Sequence, residues 1–165
     1  MALQNRPLLY TATGLLVITA VLYITANALP IWVTVSDESY SYTVGLWKAC
    51  ESEGSTKLCI NILLKSDYKT ISTRAFITLC CIYSSLSVAS IITILCINEN
   101  LVDISSLAKG LAIAALICGI IGVSIGISVV LEGIDFGGKM GVSCVLAIIA
   151  LVFNFAGAIA TFFIK

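Results

Sequence analysis

The side chains able to do chemistry in this chain are thiols and carboxylates: seven cysteines, nine Asp and Glu residues and no histidine. Without imidazole there is no Ser-His-Asp triad, no histidine general base and none of the common zinc sites. Every carboxylate lies outside the long apolar runs, and no phosphate-binding glycine loop is present. The chain therefore reads as a non-enzyme, with no cofactor and no metal. Two of the cysteines stand apart. Cys50 and Cys59 sit in "GLWKACESEGSTKLC", residues 45–59, a polar island in an otherwise apolar chain, whereas Cys80, Cys81, Cys96, Cys118 and Cys144 fall within apolar runs.

A cysteine pair confined to one loop fits a disulfide in an oxidising compartment. Closing residues 50–59 would stabilise the loop by about 2.7 kcal/mol on the chain-entropy estimate. The alternatives are two free cytosolic thiols or half of a metal site. Against the metal stand the long spacing, the missing second cysteine pair and the missing histidine. Of the other cysteines, four read as small buried hydrophobes. Cys96, near the predicted inner edge of a span, is a candidate for palmitoylation.

The elements that must position this loop are helices in a membrane. The 165 residues are 59% hydrophobic and 11% charged, with a mean hydropathy of +1.09. Zero net charge gives no electrostatic basis for binding nucleic acid. Residues 8–29, 75–97, 110–131 and 140–164 carry no charge over lengths that span the roughly 30 Å hydrocarbon core before Lys165. Isolated strands cannot satisfy their backbone in lipid, so all four are predicted as helices. "TANALP" has the look of a signal-peptidase site, but the apolar run before it is longer than a signal core and reads as a retained helix. The fold class is a membrane-embedded all-α four-helix transmembrane bundle with a small extracellular antiparallel β-sheet, a single domain over 1–165.

An even span count puts both termini on one side. The positive-inside rule does not orient the bundle: Arg6, Lys109 and Lys165 on the presumed inner side face Lys48, Lys57, Lys65 and Lys69 in the long loop. The cysteine pair decides it, placing loop 30–73 outside and both termini in the cytosol. "IWVTV", "YSYTVGLW" and "KLCINIL" (31–35, 40–47 and 57–63) are rich in β-branched and aromatic residues and read as strands. Trp32 and Trp47 fit either interfacial anchors or packing within that sheet.

"ALPIW" (28–32), "GLWKAC" (45–50), Cys59 and Arg74 at the opening of the second span resemble the first extracellular segment of the claudin superfamily, in which Trp32, Gly45, Leu46, Trp47 and the two cysteines form the family motif. The likeness covers residues 28–76. It implies a left-handed four-helix bundle bearing an extracellular sheet. It further implies partnership with itself or related proteins, laterally and across cell contacts, to form a paracellular barrier or pore at plasma-membrane junctions. Two features depart from the pattern. The second extracellular loop is only "EGIDFGGK", residues 132–139, with Phe136 its one bulky contact, and "TFFIK" stands where a cytosolic scaffold-binding tail is usual. The short loop is nearer to the peripheral myelin and epithelial membrane proteins, relatives that would make this a channel-auxiliary or lateral-contact protein. Those relatives often carry a glycosylation sequon in the first loop, and this sequence has none.

Ala115, Gly119, Gly122 and Gly126 lie on one face of the third span, where small residues allow close helix approach, within the bundle or to a second copy. Asn154 is the most polar residue of the fourth span, read as a bond to a neighbouring helix or as a functional polar site. The first loop holds Asp37, Glu38, Glu51, Glu53 and Asp67 against Lys48, Lys57, Lys65 and Lys69. So even a balance sets no bulk selectivity, because exposed charges are screened beyond about 8 Å. The adjacent pair Asp37–Glu38 is the candidate selectivity element, with a weak cation preference as the expectation.

Overall fold

The computed structural model describes residues 6–36, 40–53, 56–62, 67–97 and 102–163. Its four helices, α1 (Arg6–Ala28), α2 (Tyr68–Ile97), α3 (Val102–Asp135) and α4 (Val142–Phe162), are each apolar and long enough to cross a membrane. Helices α1 and α3 each pack on both α2 and α4. The interior is built from small side chains: Ala12, Ala20, Ala112, Ala115, Ala147 and Ala150 are buried. Large ones, among them Val21, Ile24, Ile117, Ile120, Val152 and Phe155, point outward. Small interior residues let helices approach closely, and the result is a bundle apolar on all faces. Hydroxyls in the helices bond backwards, as Thr19 does to the Leu15 carbonyl and Ser84 to that of Cys80.

The helices outrun the charge-free spans. Helix α2 starts at Tyr68 rather than near residue 75, and α3 covers Val102–Asp135 rather than 110–131. Charges end a hydropathy window but not a helix when they have somewhere to go. Lys69, in the first turn of α2, pairs with Glu132, in the last turn of α3, and Arg74 turns onto the sheet. The segment expected as a loop at 132–139 is therefore mostly structured: it completes α3, turns at residues 136–138 and enters a strand.

That strand belongs to a five-stranded antiparallel sheet. Strands β1 (Val33–Ser36), β2 (Tyr40–Val44), β3 (Lys48–Glu53), β4 (Thr56–Asn61) and β5 (Lys139–Met140) lie in the order β4-β3-β2-β1-β5. The expected "YSYTVGLW" strand stops at Val44, and Gly45-Leu46-Trp47 makes the turn into β3. β5 pairs with β1 through Val33 opposite Met140, tying the α3–α4 connection into the sheet. Beyond it, the Gly141 N–H donates to the Trp32 carbonyl at 2.8 Å and the Ser143 N–H to that of Ile31 at 2.9 Å. One apolar layer, with Trp32, Val33 and Leu46 on Ile77, Val123, Val130 and Ala147, joins sheet to bundle. Trp32 is thus no interfacial anchor: it is 4% exposed and packs between the two.

Candidate functional site

The sheet and its seat on the bundle form the candidate site. Cys50 and Cys59 are directly opposed across β3 and β4, and a disulfide joins them, with their Cα atoms 4.1 Å apart. Cys50 is buried while all of β4 is exposed, so the bridge fixes an edge strand to the body of the sheet. Edge strands have a partner on one side only, and the covalent link supplies what the open side lacks.

The motif residues meet around the turn between β2 and β3. Gly45 passes so close to Leu29 and Pro30 that a Cβ there would overlap the Pro30 backbone. Leu46 is buried in the joining layer. The Trp47 indole donates to Asn27 Oδ1 at 2.8 Å, and Asn27 Nδ2 donates to Thr78 Oγ1 at 3.3 Å, linking the turn to α1 and α2. Arg74 closes the clasp. Its Nε donates to the Leu46 carbonyl, its Nη2 to the Ile62 carbonyl at 3.0 Å, and its guanidinium lies 5.5 Å from the Trp47 ring centroid. A guanidinium suits this place because its planar fork serves two carbonyls and an aromatic face together. Trp32 completes the seat, its indole donating to the Ala26 carbonyl at 3.0 Å.

The small-residue face of α3 is divided among three partners in the same chain. Ala115 is buried and its carbonyl accepts the Cys80 thiol at 3.4 Å. Gly119 faces Tyr23 of α1, Gly122 faces Phe76 and Ile77 of α2, and Gly126 makes room for the Trp32 ring. Cys96 is exposed near the end of α2, while Cys80 and Cys144 are buried. Among the described residues, no three Cys, Asp or Glu side chains converge as a metal ion would require.

Asp37 and Glu38 lie outside the described residues. The sheet reveals another arrangement, which sequence reading missed. Opposed residues share a face and successive residues alternate. Tyr42 opposes Glu51 and Tyr40 opposes Glu53, so both acids and both phenols occupy one face. Lys48 and Lys57 pair with Asn61 and Ser52 on the opposite face. Lys139, opposite Thr34, joins them there. Among the described strand residues, acids and lysines are segregated onto opposite faces. The period-two spacing of Glu51 and Glu53, set against that of Tyr40 and Tyr42, was the available signal. Burial, and then the Glu51 carboxylate, push the Tyr40 hydroxyl above its ordinary pKa. Asn27, Lys69 and Glu132 were also missed, each being a polar residue at a helix end.

Compared with models of known protein families the chain matches none, and no curated protein matches it.

Proposed function

We propose that the chain is a claudin-like membrane protein of cell contacts that contributes to a paracellular barrier or a weakly cation-preferring pore. In this reading α1–α4 cross the plasma membrane, both termini are cytosolic and the sheet stands outside. The observation that carries it is the clasp. Through Arg74, Trp47, Trp32 and β5, the sheet, stapled internally by the disulfide, is fixed to one end of the bundle, so its face keeps one height and orientation. Fixed charges beside a narrow aqueous path set ion preference without covalent chemistry. The face bearing Glu51 and Glu53 supplies the acidic side, with Asp37 and Glu38 as the second candidate pair. Membrane insertion is supported by the outward Val, Ile and Phe side chains, an apolar surface too extensive to leave in water.

The partners are the lipid bilayer and further copies or relatives of the chain, laterally and across the contact. One observation favours a second reading, an auxiliary subunit acting by lateral contacts within one membrane. The α3–α4 connection is taken up by β5, which leaves Phe136, 87% exposed, as the one aromatic side chain projecting from it. Expression in cells that lack junction strands separates the two. Strands at cell contacts, seen by freeze-fracture, support the first. Uniform membrane staining without strands, together with stoichiometric recovery of one channel, supports the second.

A further inference from the structure

The centre of the bundle holds two polar side chains that play no part in seating the sheet. Tyr23 of α1 and Asn154 of α4 are both 0% exposed. The Tyr23 hydroxyl and both polar atoms of the Asn154 carboxamide complete no hydrogen bond in this geometry, although the carboxamide lies within interaction reach of the hydroxyl. Buried polar groups without partners are rare, and each needs an explanation. Nearby donors are engaged elsewhere: Thr19 donates to the Leu15 carbonyl, Ser84 to that of Cys80, and the Cys80 thiol to that of Ala115. Of the two orphaned groups, each is a strong hydrogen-bonding partner for the other.

Gly119 of α3 shows how the hydroxyl reaches that place. A Cβ on Gly119 would overlap the Tyr23 hydroxyl oxygen and come within 3.1 Å of Leu151 Cδ1, but would lie 3.4 Å from Tyr23 Cζ. The missing methyl is therefore matched to the oxygen, and the ring itself would tolerate it. We propose that Tyr23 and Asn154 are hydrogen-bond partners, the Asn154 Nδ2–H donating to the Tyr23 hydroxyl oxygen, in a junction of α1, α3 and α4 for which Gly119 provides the passage. The bond sets the register of α1 against α4 at a depth where the interface is otherwise served by apolar contacts. Leu16 against Gly157 is one of these.

The test is a double-mutant cycle on the full chain in detergent, read as thermal unfolding. Tyr23→Phe and Asn154→Leu each strand a polar partner and lower the midpoint, whereas the double variant removes both groups. The expected coupling is about threefold in the folding equilibrium and at most about twentyfold, the range of interhelical hydrogen bonds in membranes. A second arm uses Gly119→Ala, which is destabilising in the native background and tolerated with Tyr23→Phe, because the overlapping oxygen is gone. Additive effects of Tyr23→Phe and Asn154→Leu, or a Gly119→Ala cost equal in both backgrounds, would overturn the proposal.

Discussion

The Trp47 indole N–H donates to Asn27 Oδ1 at 2.8 Å, joining the turn between β2 and β3 to the last turn of α1. The indole is 37% exposed, so the bond is partly open to solvent, and a net contribution of about 1 kcal/mol applies. Asn27→Leu removes the acceptor and also the bond to Thr78 Oγ1, and should lower stability by about 1–2 kcal/mol. Trp47→Ala should do more, since it also strips the aromatic face from Arg74. Thermal unfolding in detergent checks both, and a Trp47→Ala variant as stable as the native protein would remove the stacked guanidinium from the clasp.

Arg74→Lys is not a conservative change at this place. An ammonium cannot reach the Leu46 and Ile62 carbonyls in the same fork or lie flat on Trp47. Charge-assisted bonds are worth about 1.5–3 kcal/mol each, so the variant should lose stability on that scale. Amide exchange should rise first in the 46–62 segment. A lysine variant as stable as the native protein would remove Arg74 from the clasp.

Opening the disulfide should loosen one edge of the sheet rather than the bundle. Cys50→Ser removes about 2.7 kcal/mol of chain-entropy stabilisation, felt by β4, which pairs only with β3. Limited proteolysis should cut the variant within 53–62 before it cuts any helix. An externally applied thiol reagent should label the native loop only after reduction.

Tyr40 carries the pH dependence of the acidic face. Its folded-state pKa is raised, so its contribution to stability is fully present below the ordinary tyrosine value of about 10 and is lost as pH rises through the folded value. Absorbance titrations of the native chain and of Tyr40→Phe should differ by one tyrosine that ionises above the ordinary value. In Glu51→Gln that step should move down. No change in Glu51→Gln would separate the two residues.

The helices and the cysteine pair were legible because each rests on a strong local signal: long charge-free runs, and two thiols isolated in one loop. Helix ends were not, because hydropathy stops at Lys69, Arg74 and Glu132 although their charges are met by a neighbouring helix or by the sheet. Strand β3 was missed since "KACESE" is half charged and buries only Ala49 and Cys50. Strand β5 was missed because two residues beside glycines carry no period, and only their pairing with β1 makes them a strand. Trp32 read as an interfacial anchor or as packing within the sheet; it packs instead between sheet and bundle, and the space at Gly126 that receives its ring is tertiary. The segregation of glutamates from lysines depends on register, which composition does not contain.

A sheet that borders a path between cells is tested by ion permeability across epithelial layers expressing the chain. Raised resistance, or a modest preference for sodium over chloride, is expected once the protein reaches cell contacts. Where a preference appears, Glu51→Gln with Glu53→Gln, or Asp37→Asn with Glu38→Gln, should move it toward unity, while Lys48→Gln with Lys57→Gln on the opposite face leaves the sodium preference in place. Unchanged resistance and unchanged permeability ratio, with the protein present at the contacts, would contradict it.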